Sequence, residues 1–139
     1  MGEWREYDTT ADTGLEVWGN NLPDLFATAG LAFTSLTTDI DTLKPEVSRI
    51  IDVESRGSDI QFRDFLDELL FILDTEDLLP LGFSNFEFYV NGFTCKGLFG
   101  KWIDGVHESR TEIKAVTYHL LDVRLLEDGL YYGRVVFDI

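Results

Sequence analysis

The sequence is poor in the residues that build covalent or metal cross-links. Its 139 residues include one cysteine, two histidines and one methionine. A single cysteine, Cys95, cannot form an internal disulfide or supply a cysteine-based zinc site. Apolar runs are far shorter than the roughly 20 residues that a membrane-spanning helix needs. Residues 1–6 are polar and acidic, without the basic start and apolar stretch of a secretory signal. We therefore expect a reduced, cytoplasmic setting and no membrane contact.

Positive charge is also scarce. Eleven Lys and Arg stand against 26 Asp and Glu, which gives a formal net charge of −15. Nucleic-acid binding requires clustered cations that neutralise phosphates, so direct binding of nucleic acid is not expected. The same charge disfavours an anionic membrane surface and favours metal cations or a basic protein partner.

Hydrophobic residues, at 45%, are abundant enough for a folded core. No linker-like stretch divides the chain, so residues 1–139 are predicted to form a single domain.

Two segments have helical periodicity. Apolar residues at spacings of three and four form one stripe over residues 22–36, and Asn21 before them is a candidate N-cap. A second stripe covers residues 62–73, and Ser58 and Gln61 ahead of it stand three apart, as in a capping box. Both segments are therefore predicted to be α-helices that bury one face.

Most of the remaining sequence alternates like β-strands. Asn91-Gly92 predicts a hairpin with a type I′ turn, and Asp128-Gly129 predicts a second hairpin. The three prolines, Pro23, Pro45 and Pro80, are each predicted to lie at an element boundary. The order is strand, helix, strand, helix and then about four strands. This order predicts an α+β fold, a two-layer sandwich in which two helices cover a mixed, mostly antiparallel sheet.

Motifs for the common kinds of catalysis are weak. His107 and His119 lack the spacing of metal ligands, and each is interpreted as a hydrogen-bonded structural residue. The stretch Gly97–Lys101 lacks the spacing of a phosphate-binding loop. Cys95 lies in a strand pattern and is interpreted as a small apolar core residue.

Three local features remain as candidates for function. Asp12 lies in a polar loop that leads into a strand, although an aspartate there is often only a turn or cap residue. The segment Thr111–His119 brings a cation, a phenol and an imidazole close together, as an ordinary strand edge also could. The sequence closes on an apolar strand whose Asp138 carboxylate would lie beside the α-carboxylate of Ile139. Hard oxygen groups of this kind suit Ca²⁺ or Mg²⁺.

In combination, these motifs resemble the archease family. The resemblance rests on Thr10-Ala11-Asp12-x-Gly14, Glu112-Ile113-Lys114-Ala115-Val116-Thr117-Tyr118-His119 and Val136-Phe137-Asp138-Ile139, and it runs from about Tyr7 to the last residue. There is one departure from the family pattern. The family loop commonly reads His-Thr-Ala-Asp, and Thr9 stands here in the histidine position.

The resemblance implies a non-catalytic activator of an RtcB-type RNA ligase, the enzyme that joins tRNA halves during splicing. Archeases promote guanylylation of this ligase and its repeated turnover. The family's metal site, usually described with Ca²⁺, is carried over onto Asp12, Asp138 and the carbonyl or carboxylate of Ile139, with Mg²⁺ or Mn²⁺ as alternatives. Three further positions match the family motif: Lys114, which corresponds to a lysine implicated in activation, and Tyr118 and His119, whose roles are unassigned.

Two other classes of function remain open. Asp12 and Asp138 could form a metal-dependent hydrolase pair, with His119 or Lys114 handling protons. The protein could instead be a general chaperone or protein-binding adaptor, which an acidic surface and exposed strand edges would permit. The ligase activator is favoured over both because two separated motifs agree on it.

Overall fold

The computed structural model describes residues 2–8 and 12–139. Within these residues, two helices, α1 (Leu22–Thr37) and α2 (Ser58–Glu76), are interspersed with strands. The strands are β1 Glu3–Asp8, β2 Asp12–Gly19, β3 Val47–Val53, β4 Leu78–Tyr89, β5 Gly92–Lys101, β6 Ala115–Val116, β7 Asp122–Leu125 and β8 Tyr131–Asp138. Neither of these helices combines the length and the apolar character needed to cross a membrane.

The strands form two antiparallel sheets. The larger sheet has the order β1-β2-β8-β6, with β7 paired to the beginning of β8, and the smaller sheet has the order β3-β5-β4. Each helix contacts strands of both sheets, so apolar side chains from all of these layers share one core. The α+β class is confirmed. The strands divide between two sheets, rather than joining the single sheet expected, because alternation within a strand does not specify its neighbours.

An aromatic cluster joins the two helices to the smaller sheet. Phe26 of α1 stacks on Phe93 of β5, with ring centroids 5.0 Å apart and ring planes inclined by 11°. Its ring centroid also lies 5.8 Å from that of Phe62 and 5.7 Å from that of Phe65, both on α2. All four side chains are fully buried. Since burying one such side chain stabilises a fold by about 1.5–3 kcal/mol, this cluster is a major contribution to stability.

The start of α1 agrees with the sequence prediction, and the start of α2 does not. Asn21 is the N-cap of α1, and its Oδ1 accepts a hydrogen bond of 2.8 Å from a backbone N–H in the first turn. The capping box predicted for α2 is wrong, because Gly57 is its N-cap and Ser58 is already helical. Gln61 instead donates from Nε2 to the backbone oxygen of Ser55 at 2.9 Å. Ser58 is the first helical residue, one position after the N-cap, and the side chain that accepts the free N–H groups of the first turn is normally that of the N-cap residue.

Both predicted hairpins form, but the turn of the first hairpin lies at Val90-Asn91 instead of Asn91-Gly92. Tyr89 pairs with Gly92, so the loop residues are Val90 and Asn91. Neither loop residue has a positive φ, so the predicted type I′ turn is wrong. Gly92 belongs to β5, where a Cβ would lie only 1.9 Å from the backbone oxygen of Val53. The glycine therefore serves close approach of two chain segments rather than the turn.

Two further features differ from the sequence expectation. Strand β1 is absent from the prediction because its residues are mostly exposed and carry no apolar periodicity. Pro80 lies inside β4 rather than at an element boundary. It sits at a register irregularity of a strand on the edge of its sheet, where a missing N–H leaves no partner unpaired.

Candidate functional site

The two aspartates predicted to bind metal lie opposite each other on neighbouring strands. The antiparallel pairing of β2 with β8 has a register that matches Asp12 with Asp138. Side chains of directly opposed residues share one face of a sheet, with Cβ atoms about 4.5–5.5 Å apart. Leu15 and Val17 of β2 face the core, so by alternation Asp12 and Asp138 lie on the outer face of the sheet. The fold thus joins two carboxylates from distant parts of the sequence.

The other side of Asp138 is lined by β6. Ala115 is the register partner of Asp138 on that side, and the backbone N–H of Lys114 donates to the Asp138 carbonyl oxygen at 2.8 Å. The Lys114 side chain is exposed, and Ile139, which follows Asp138, is 41% exposed. The structure therefore brings Asp12, Asp138, Ile139 and the backbone of Lys114 together where β2 begins and β8 ends.

The donors at this end of the sheet are of the kind that hard divalent cations prefer, because carboxylate and carbonyl oxygens are the usual ligands of Ca²⁺ and Mg²⁺. Ca²⁺ takes six to eight oxygen ligands, so Asp12, Asp138 and an oxygen of Ile139 would supply part of its shell, and water or a partner the rest. Among the described residues, no three His, Cys, Asp or Glu side chains form a metal-binding group. Residues 9–11, which include Thr9 and the start of the predicted loop motif, lie outside the described residues.

Two arginines hold the segment that follows β6. Residues 118–121, which we term the motif turn, are closed by a hydrogen bond of 3.3 Å from the Leu121 N–H to the Tyr118 carbonyl oxygen. Ahead of this turn, Arg63 of α2 donates from Nε to the backbone oxygen of Val116 at 3.0 Å. Within it, Arg134 of β8 donates from Nε to the backbone oxygen of Leu120 at 2.8 Å. The turn is therefore tied to both a helix and the central strand of the larger sheet.

Thr117 fastens the same segment to β8. Its backbone N–H and its hydroxyl both donate to the carbonyl oxygen of Val136, at 3.1 and 2.8 Å. Its Oγ1 also accepts a hydrogen bond of 3.2 Å from the backbone N–H of His119. The side chains of Tyr118 and His119 are exposed. The motif turn thus presents these two side chains to the outside of the molecule, where another molecule can reach them.

The remaining sequence candidates are structural. His107 accepts a hydrogen bond of 2.9 Å at Nδ1 from the backbone N–H of Ile103, as its interpretation as a hydrogen-bonded residue requires. Cys95 is 1% exposed, and burial raises the pKa of its thiol to about 12. A thiol with this pKa stays protonated at neutral pH and is a poor nucleophile. Cys95 is therefore a core residue, as predicted.

Comparison with known proteins establishes the family. The family model described as the Archease protein family (MTH1598/TM1083) matches residues 4–139. The chain belongs to the archease family. The archease of Methanothermobacter thermautotrophicus is 37% identical over 96% of both chains, and that of Pyrococcus abyssi is 30% identical over 100% of both.

Two solved structures share the archease fold of this chain. The solution structure of Protein 1598 from Methanobacterium thermoautotrophicum has a TM-score of 0.83 and 36% sequence identity, and the match covers 98% of each chain. The crystal structure of an archease from Thermotoga maritima, described as a possible chaperone, has a TM-score of 0.67. At 21% identity, over 97% of this chain and 96% of that one, it supports the fold alone.

The sequence analysis did not identify the two arginines, Arg63 and Arg134, that bind the motif turn and the residues just before it. Helical periodicity predicts Arg63 on the solvent side of α2, yet its side chain is only 18% exposed because it packs beneath Tyr118. One signal was available in the sequence: Arg63 is the sole cation of a strongly acidic helix. Arg134 carried no such signal, because its contact with Leu120 depends on how β7 and β8 pair.

Proposed function

We propose that this protein is a non-catalytic activator of an RtcB-type RNA ligase in cytoplasmic tRNA splicing. It promotes guanylylation of the ligase and its multiple turnover. The observation that carries this proposal is the pairing of Asp12 with Asp138 beside the segment that contains Lys114. Membership of the archease family supports the same conclusion.

The charge of the protein determines how such activation would work. At a net charge of −15, the protein would repel tRNA phosphates, so its contribution passes through the ligase rather than through RNA. An acidic face docks on a basic rim near the nucleotide and RNA cleft of the ligase. Complementary charge of this kind accelerates encounter and selects the partner.

Asp12, Asp138 and an oxygen of Ile139 would hold Ca²⁺, or Mg²⁺ or Mn²⁺ in its place. When bound, a divalent cation supplies charge neutralisation for phosphoryl transfer, a reaction that depends on positioning and electrostatics. The residues of this chain contribute the preorganisation. Strands β2 and β8 hold the two carboxylates side by side, and Lys114, on the adjacent segment, is available to contact a phosphate or an acidic residue of the ligase.

Ligase guanylylation and multiple-turnover ligation test this proposal directly. We expect the wild-type protein to stimulate both reactions, and Asp12→Ala, Asp138→Ala and Lys114→Ala each to lose most of the stimulation. Asp104→Ala, which removes an exposed carboxylate from the loop after β5, is the matched control and should stimulate normally. Full stimulation by all three site variants would refute the site assignment, and no stimulation by the wild type would refute the function.

A chaperone role is the second candidate, because an acidic protein whose outer strand β1 is mostly exposed could also bind other proteins. The discriminating measurement is aggregation of unrelated client proteins on heating. Suppression of aggregation for several clients, without preference for an RNA ligase, would favour the chaperone. We expect no general suppression.

A further inference from the structure

The motif turn contains a backbone conformation that leucine rarely adopts. Leu120 has φ 54°, in the left-handed region that favours glycine and, among other residues, asparagine and aspartate. A residue held in this region persists only where its surroundings impose it, and such residues concentrate at binding sites. Since its backbone conformation disfavours leucine, we expect the Leu120 side chain to have a role of its own.

Contacts on both sides impose this conformation. The Arg63 guanidinium holds the Val116 carbonyl ahead of the turn, and the Arg134 guanidinium holds the carbonyl of Leu120 itself. The guanidinium carbon of Arg63 also lies 4.5 Å from the centroid of the Tyr118 ring, a cation–π contact. Arg63 is oriented in turn by Asp64 at 2.9 Å and by another carboxylate on the next turn of α2. Side chains of α2 and β8 thus hold the turn and the residues just before it.

Two large side chains project from this turn. Tyr118 is 60% exposed and Leu120, two residues later, is 50% exposed. The Tyr118 ring packs against Arg63 and is still open to solvent. Tyrosine and arginine are enriched among the residues that dominate binding energy at protein interfaces. The turn has the properties of a preorganised anchor.

We infer that the motif turn is a protein-docking element, and that Tyr118 and Leu120 insert into an apolar pocket of the RNA ligase. Arg63 and Arg134 are positioning residues in this arrangement. The inference rests on the proposed function. It commits to a protein partner because the protein has a net charge of −15, and because Asp64 and Asp67 offset the charge of Arg63, the cation that packs against the turn. The turn also follows β6, whose Ala115 pairs with Asp138, so docking here would bring the carboxylate pair to the same partner.

The variant Leu120→Asn separates the cost of the strained backbone from the benefit of the side chain. Asparagine tolerates a positive φ, so we expect a Tm at or above that of the wild type. Loss of a leucine side chain that is buried on binding should raise the Kd for the ligase about tenfold. Leu125→Asn is the matched control, since Leu125 is 60% exposed in β7 and has no positive φ. It should leave the Kd unchanged.

A second pair of variants tests the positioning role. Tyr118→Phe keeps the ring over Arg63 and should bind the ligase as the wild type does. Arg63→Gln removes the cation and should raise the concentration needed for half-maximal stimulation of guanylylation. The rate at saturating protein should not change, because Arg63 acts by positioning the anchor rather than in the reaction itself.

The results distinguish the two proposals. If the wild type neither binds nor stimulates the ligase, the proposed function fails and the docking role fails with it. If the wild type does both, and Leu120→Asn and Arg63→Gln bind equally well, the docking role alone is wrong. A lower Tm for Leu120→Asn would also overturn it, because the leucine would then serve the fold rather than a partner.

Discussion

Tyr132 of β8 donates its hydroxyl hydrogen to Glu16 of β2 at 2.7 Å, on the outer face of the larger sheet. Arg5 of β1 donates to the same carboxylate from Nε at 3.0 Å. The hydrogen bonds from Tyr132 and Arg5 lower the pKa of Glu16. Burial, together with the same contact to Glu16, raises the pKa of Tyr132 to about 12. The folded protein thus favours an ionised Glu16 beside a neutral Tyr132.

We expect acid to weaken the fold through Glu16. Because the pKa of Glu16 is lower in the folded protein than in the unfolded chain, its stabilising effect is fully present above the unfolded value, near 4.5. This effect is lost as the pH falls through the folded pKa. Urea unfolding of the wild type and of Glu16→Gln at about pH 6 and about pH 3 measures it. The wild type should lose more free energy of unfolding between the two pH values than the variant.

Glu127→Gln, in the exposed turn between β7 and β8, is the control for general charge effects and should retain the wild-type dependence on pH. Equal dependence in the wild type and Glu16→Gln would contradict the prediction. For Tyr132 we expect a corresponding loss of stability at alkaline pH. Its raised pKa means that its contribution is fully present below the unfolded value of 10.0 and is lost as the pH rises through about 12.

The two helix starts should respond differently to loss of a side chain. Asn21→Ala removes the side chain that accepts a backbone hydrogen bond in the first turn of α1, and it should lower the free energy of unfolding by about 1 kcal/mol. Ser58→Ala should have almost no effect, because Ser58 is inside α2 and Gly57 is the cap. Urea denaturation of both variants measures the difference. A larger loss for Ser58→Ala than for Asn21→Ala would contradict the capping described here.

Calcium binding should depend on both members of the carboxylate pair. We expect Asp12→Asn and Asp138→Asn each to weaken Ca²⁺ binding by at least about tenfold, because each removes a charged oxygen ligand. Isothermal titration calorimetry on chelator-treated protein measures the affinity, and Asp104→Asn is the control. Binding that survives both substitutions would place the cation elsewhere.

Adding residues after Ile139 tests the third proposed ligand. If an oxygen of the α-carboxylate binds the cation, such an extension should weaken Ca²⁺ binding and leave the Tm in the absence of calcium unchanged. If affinity is the same with and without the extension, Ile139 contributes at most its backbone carbonyl. Circular dichroism and calorimetry on the same two samples give both quantities.

Features that depend on neighbouring residues in the chain could be predicted well. The periodicity of residues 22–36 and the N-cap at Asn21 are local, because a helix is built from contacts three and four residues apart. The hairpin at Asp128-Gly129 is also local, because its turn joins two strands that are adjacent in the chain. Even there, Asn91-Gly92 gave a hairpin in the right place with the wrong turn, since the position of Gly92 is decided by the distant backbone of Val53.

The candidate site depended on two kinds of information. Local patterns in the sequence had already marked Asp12, Asp138, Ile139 and the segment that contains Lys114 as candidates, and the resemblance to a family assigned them to a metal site and to activation. Their proximity came from the fold, because Asp12 meets Asp138 only through the register of β2 against β8. Arg63 shows the limit most clearly. Its partners, Val116 and Tyr118, are far along the chain, and no local pattern on α2 points to them.

The sequence by itself determined the acidity of the protein, the burial of its single thiol, its two amphipathic helices and its two hairpins. Tertiary structure alone decided that the strands split into two sheets, that β1 extends one of them, and that two arginines hold Leu120 and its neighbours in a strained turn. The physical reason is range. Periodicity and capping are enforced by contacts within a few residues, whereas strand register and side-chain clamps are chosen by the summed packing of the whole core.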